Sequence, residues 1–104
     1  MIIDKPIADN DIVSVKLMSG EEVIGRIDHS NKANTRLKKP LMVAMTAQGP
    51  SLAPFVFSAD ITNLPYVDIN THSVVTVVKS HKPFADAYLE ATTGLVAPSN
   101  ALVV

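Results

Sequence analysis

The chain of 104 residues contains no cysteine and no tryptophan. Without cysteine it can form neither a disulfide framework nor a thiolate metal site, which suits a reducing compartment. No run approaches the roughly 20 consecutive apolar residues that span a bilayer. The first residues do not combine a basic segment with an apolar run, so no signal peptide is predicted. We therefore expect one small cytoplasmic domain.

Charge is also scarce, because charged residues make up 18% of the chain and the net charge is −1. This balance argues against bulk electrostatic capture of nucleic acid. Apolar residues reach 47%, which indicates surface buried by self-association. One segment departs from the average, since residues 26–39 hold five basic residues against Asp28. The basic residues are Arg26, Lys32, Arg36, Lys38 and Lys39. The segment is either a basic binding loop or a solvated one.

Signals for catalysis or metal binding are missing. The three histidines, His29, His72 and His81, lie far apart, and none belongs to a closely spaced pair. Acid–base and metal sites need converging groups. The sequence also lacks a phosphate-binding loop, a nucleophile elbow and a suitably spaced carboxylate pair. We expect no enzymatic activity, no metal and no cofactor.

The most informative segment is residues 11–27. Val13, Val15 and Leu17 alternate with polar or flexible residues, the period of a half-buried strand. A polar turn containing Gly20 follows, and a second apolar run begins at residue 23. Gly25 lies inside that run, and a glycine within a strand marks a bulge or bend. The pattern predicts a strongly bent hairpin, which is typical of a small β-barrel.

The rest of the chain predicts three more strands and a helix. The strands are expected over residues 42–47, 55–61 with a continuation over 66–69, and 73–79. A loop over 48–54 is expected because that segment holds Gly49, Pro50 and Pro54, and a turn is expected over 70–72.

A helix should open near Pro83 and end before Gly94. Its apolar face is formed by Phe84, Ala87, Tyr88 and Ala91. The expected organisation is an N-terminal arm over residues 1–10, a barrel over 11–80, and a C-terminal helix and tail over 81–104.

Two segments resemble the motifs of the Sm-like family, which includes the LSm and Hfq proteins. The first motif is an apolar alternation, a turn glycine, an apolar residue and a bend glycine. Residues 13–27 follow it with Val13, Val15, Leu17, Gly20, Val23, Gly25 and Ile27. Residues 69–77 share the length and apolar frame of the second motif. The resemblance implies a small, strongly bent five-stranded barrel of the SH3 type, followed here by a C-terminal helix.

The polar positions depart from the family. Its uracil pocket uses an asparagine and an arginine, but Asn70-Thr71 replaces the family's Arg-Gly pair. Asparagine can hydrogen-bond a base edge, although it cannot stack on a base as a guanidinium does. The family helix precedes the barrel, whereas the helix predicted here follows it. The residues expected to bind nucleic acid are Asn31, Lys32, Asn34, Arg36, Asn70 and His72.

The resemblance also implies a ring. An open sheet has two unpaired edges, which need covering. Sm-like rings pair the fourth strand of one subunit with the fifth strand of the next, in rings of about five to seven subunits. The expected interface residues are Phe55, Val56, Phe57, Val74, Val75, Thr76, Val77 and Val78.

Two functions follow as expectations. The first is binding of single-stranded RNA in RNA regulation, with an affinity that falls steeply with salt. The second is a phage accessory ring that binds protein and no nucleic acid, which the near-zero net charge favours. The resemblance extends to Sm-like proteins of cyanophage, and it implies action in the cytoplasm of the infected host cell.

Overall fold

A computed structural model describes residues 6–56, 58–59 and 65–93. The strands are β1 (Ile12–Leu17), β2 (Glu22–Ser30), β3 (Asn34–Thr46), β4 (Gly49–Pro54), β5 (Val67–Asn70) and β6 (Val74–Lys79). A 3-10 turn, Thr71–Ser73, joins β5 to β6, and a helix, α1 (Lys82–Thr93), follows. The described residues are therefore mainly β, with one helix after the sheet, as the sequence predicts.

The described strands form one antiparallel sheet in the order β4-β3-β2-β1-β6, with β5 also paired to β3. Because β2 runs along one side of β3, the other side holds both β4 and β5. Residues 41–46 of β3 pair with β4, and residues 34–37 pair with β5. Strands β4 and β6 stand at the two ends of this order and, among the described residues, do not pair with each other. The described sheet therefore has six strands where five were expected, and it is open, so a closed barrel is not confirmed.

The bend expected at Gly25 is confirmed. The pairing of β2 with β3 shifts register between Ile24 and Arg26, where Lys39 on β3 has a positive φ of 47°. A Cβ atom on Gly25 would lie 3.2 Å from the Lys38 carbonyl oxygen. Only glycine allows the two backbones to approach so closely without movement. A second register shift in the same pair lies between Ile27 and His29.

The two faces of the sheet carry separate apolar clusters. Side chains on the inner face form a core that includes Val13, Val15 and Leu37, each fully buried. On the other face, Ile24 and Leu41 pack against Tyr88 of α1. The helix therefore packs on the outer face of the sheet over the β2–β3 bend.

Tyr88 also forms hydrogen bonds with the backbone at that bend. Its hydroxyl oxygen lies 2.8 Å from the Lys38 carbonyl oxygen and 3.0 Å from that of Lys39, so one proton is shared between them. The ring is 1% exposed, and burial raises the pKa of Tyr88 to about 12.

Three sequence predictions in the middle of the chain are wrong. The third strand is expected over residues 42–47, but β3 already begins at Asn34. Residues 48–54 were expected to be a loop, but Gly49–Pro54 is strand β4. An edge strand accepts proline wherever the missing N–H would face away from its partner, and Pro50 and Pro54 occupy alternate positions of that kind. Residues 55–61 were expected to form the fourth strand. Their described members, residues 55–56 and 58–59, form bends and turns instead.

Candidate nucleic-acid interface

The connection between β2 and β3 meets the 3-10 turn at one end of the sheet. Asn34, the first residue of β3, is directly opposite Asn70, the last residue of β5. The Thr71 amide donates to the Ala33 carbonyl oxygen over 3.0 Å. Two segments that are almost 40 residues apart in sequence thus form one surface. We call Asn31, Lys32, Asn34, Asn70 and His72 the loop surface.

A chain of hydroxyl groups fixes the two segments to each other. Thr71 Oγ1 donates to the Asn31 carbonyl oxygen over 2.8 Å. Because that bond uses the only hydroxyl proton of Thr71, Thr35 must donate in the 3.1 Å bond between their Oγ1 atoms. Ser30 in turn donates to Thr35 over 2.9 Å. Thr35 is completely buried, so this chain supplies the partners that its hydroxyl needs.

The asparagine side chains also shape the surface. Asn31 Oδ1 accepts from the amides of Ala33, at 2.8 Å, and Asn34, at 2.9 Å. Asn70 Oδ1 accepts from the His72 amide over 2.9 Å and caps the 3-10 turn. The Asn31 oxygen thus accepts two hydrogen bonds, whereas the Asn70 oxygen accepts one and keeps a second lone pair. Both side chains also present amide N–H groups, which suit acceptors such as the carbonyl oxygens of uracil.

Arg36 lies two residues along β3 from Asn34 and therefore on the same face of the strand. Its Nε and Nη2 atoms donate to the two carboxylate oxygens of Asp68 at 2.7 and 3.0 Å. These hydrogen bonds lower the pKa of Asp68 and raise that of Arg36. The Arg36 guanidinium carbon is 3.7 Å from the centre of the Tyr66 ring. Arg36 is thus held in one plane between a carboxylate and an aromatic ring.

All six residues predicted to bind nucleic acid lie at this end of the sheet. Five form the loop surface, and Arg36 lies two residues beyond Asn34, about 6.6 Å further along β3. The sequence does not predict Asp68 in the site, and for Tyr66 it favours a buried or interface role over base stacking, whereas Tyr66 is 41% exposed. A usable signal was present, since Tyr66, Asp68 and Asn70 alternate with the apolar residues Val67 and Ile69.

The basic segment does not form one positive loop. Arg36 is paired with Asp68. Arg26 donates to the Asn10 carbonyl oxygen over 2.9 Å, and Lys38 donates to Asn10 Oδ1 over 2.7 Å. Among the described residues, Lys32 makes no ion pair, and it is exposed. The loop surface therefore carries one permanent positive charge.

The residues expected at a subunit interface divide into two groups. Phe55, Val74 and Val77 pack against the inner core of the protein itself. The others that are described are exposed, namely Val56, Val75, Thr76 and Val78. Phe57 lies outside the described residues.

Other kinds of site find little support. A groove of about 460 Å³ runs along the outer face of the sheet beside the start of α1, lined by residues that include Lys16, Glu22 and Phe84. No cluster of three potential metal ligands occurs in the described ranges. Within the same ranges, no helix has the length and apolar character to cross a membrane.

Comparison with known proteins adds no relative, because no family model matches the chain and no similar sequence occurs among the curated proteins.

Proposed function

We propose that this protein is an Sm-like module that binds single-stranded RNA at the loop surface. The observation that carries the proposal is the direct pairing of Asn34 with Asn70, which brings amide side chains from two distant segments together. Recognition of single-stranded RNA relies on hydrogen bonds to base edges and on planar groups that stack on bases. Asparagine amides supply the first, and the guanidinium and aromatic ring next to them supply the second.

Single-charge substitutions test the site. Lys32→Ala should remove one phosphate contact per subunit, because this is the permanent charge that the loop surface contributes. At pH 8, a plot of log affinity against log salt should become shallower by about 0.7 for each subunit engaged. The measurement is fluorescence anisotropy of a labelled oligouridine at several salt concentrations.

Lys82→Ala is the matched control. It removes the same charge from the start of α1, where the Lys82 side chain is 83% exposed and pairs with Asp86. The control should bind as the unaltered protein does. Equal slopes for Lys32→Ala and the unaltered protein would contradict the assignment of the site. If oligouridine does not bind even at low salt, RNA binding itself is excluded.

The open edges of the sheet support assembly into a ring. The Ser80 amide donates to the Ile12 carbonyl oxygen, so Ser80 directs its backbone groups toward β1. Backbone groups point to alternate sides along a strand, so those of Val77 and Lys79 face the open edge of β6. At the β4 edge, Pro50 and Pro54 lack an N–H, and Leu52 is the outward donor. Because the two edges differ, pairing between them would be head-to-tail, the arrangement that produces rings.

Light scattering tests the ring directly. From a chain mass of 11.1 kDa, a ring of about five to seven subunits should have a mass of about 56–78 kDa. Val78→Lys places a charge on the exposed face of the β6 edge and should shift the mass toward that of the monomer. Met45→Lys is the control, since Met45 is 77% exposed on β3. A monomeric unaltered protein would exclude the ring.

A second candidate function is that of a phage accessory ring that binds protein. The observation that favours it is the exposure of Val75, at 62%, and Val78, at 50%, beside a loop surface with one permanent charge. A ring that leaves oligouridine unbound at low salt would support this function over RNA binding.

A further inference from the structure

Tyr66 is an exposed aromatic residue whose ring is held in a fixed plane. Arg36 covers one face of the ring at 3.7 Å, and Asp68 holds Arg36 through two hydrogen bonds. Tyr66 is still 41% exposed, so its remaining surface is available to solvent. An arginine that is both stacked and doubly hydrogen-bonded loses little freedom when a further group packs nearby.

The ring lies next to the loop surface. Tyr66 immediately precedes β5, and residues 66, 68 and 70 alternate onto the same face of that segment. Asn70, opposite Asn34, is therefore about four residues of extended chain, or 13 Å, from Tyr66. Arg36 and Asp68 occupy the strand positions between them. A continuous polar and aromatic strip thus runs from the loop surface to Tyr66.

We propose that Tyr66, backed by the Arg36–Asp68 pair, is a stacking platform for one base of a bound single-stranded RNA. This inference rests on the proposed function and adds a second base position beyond the loop surface. Aromatic rings accept any base on their faces, so this position would contribute affinity without choosing a sequence. The loop surface would read base edges, and Tyr66 would hold a neighbouring nucleotide of the same strand.

A purely structural role makes a different prediction. In that case, Tyr66, Arg36 and Asp68 only hold β5 against β3, and Tyr66 contributes to stability through its contact with Arg36. Tyr66→Leu would then change stability without changing RNA affinity in the folded protein. Stacking instead predicts a loss of affinity at unchanged fold, with recovery by another aromatic ring.

The test compares Tyr66→Leu with Tyr66→Phe, using anisotropy of a labelled oligouridine at low salt. Thermal unfolding checks that each variant is folded at the binding temperature. Tyr66→Leu should lower the affinity about 5- to 150-fold, the range for loss of one stacked base. Tyr66→Phe keeps the ring face and should bind within about twofold of the unaltered protein.

A spectroscopic measurement adds an independent result. The chain has no tryptophan and two tyrosines, so Tyr66 is the sole strong fluorophore in a Tyr88→Phe variant. Stacking of a base on the ring should quench this fluorescence with the same midpoint as the anisotropy titration.

The outcomes separate the two proposals. If oligouridine binds but Tyr66→Leu binds equally well, the platform is excluded and RNA binding at the loop surface stands. If binding occurs without quenching of Tyr66, the platform is also excluded. If oligouridine does not bind the unaltered protein, the proposed function and the platform fail together.

Discussion

Replacing Leu37 by alanine should lower the free energy of unfolding by about 2–5 kcal/mol, the usual cost of removing a large side chain from a packed core. Leu37 is fully buried and lies between Ile27 on β2 and Val67 on β5. The cavity would therefore loosen the contact that holds β5 against the centre of the sheet. Urea denaturation of both proteins measures the difference.

Met18→Ala is the control for the Leu37 experiment. Met18 is 72% exposed in the turn after β1, so its truncation should change the free energy of unfolding by less than about 0.5 kcal/mol. A similar small effect for Leu37→Ala would contradict the inner core described above. Since β5 also carries Asp68 and Asn70, we expect Leu37→Ala to weaken binding of oligouridine even under conditions in which the protein is folded.

The second large effect is a loss of stability at alkaline pH that depends on Tyr88. Burial raises the pKa of Tyr88 to about 12 from an ordinary value of 10.0. The folded state then binds more protons than the unfolded state between these values, so stability falls as the pH rises through this window. The expected loss between pH 10 and pH 12 is about 2–3 kcal/mol.

Tyr88→Phe isolates this contribution. The variant should be less stable at pH 8, by about 1 kcal/mol, because the Lys38 and Lys39 carbonyl oxygens lose their shared donor. Its stability should fall less between pH 10 and pH 12, since other titrating groups are common to both proteins. Parallel stability curves for the two proteins across this window would show that Tyr88 is not buried as described.

The sequence predicts the fold best where local patterns decide it. The alternation in β1, the glycines at the turn and bend, and the apolar face of α1 lead directly to the observed elements. The prediction fails at β4 because Gly49, Pro50 and Pro54 are breakers inside a sheet, but an edge strand tolerates them. Whether a segment becomes an edge depends on β3, which is long enough to pair with both β4 and β5. Local sequence does not contain that information.

In the candidate site, too, local sequence predicts some features and long-range strand pairing decides others. Two polar segments of the sequence, residues 31–36 and 70–72, predict its six residues, and all six lie together at one end of the sheet. The pairing of Arg36 with Asp68, 32 residues away, depends on the register of β3 with β5 and was not predictable from composition. Because Asp68 neutralises Arg36, this ion pair also lowers the positive charge expected at the site. One permanent charge per subunit predicts that salt weakens RNA binding steeply only if several subunits bind one strand.

The central claim is that single-stranded RNA binds where the β2–β3 connection meets the 3-10 turn. The most direct test is a titration of isotope-labelled protein with oligouridine at low salt, followed by amide chemical shifts in NMR spectra. We expect saturable shifts concentrated in residues 31–36 and 66–72, with the groove beside α1 unchanged. No shifts, or shifts confined to other parts of the sheet, would contradict the claim.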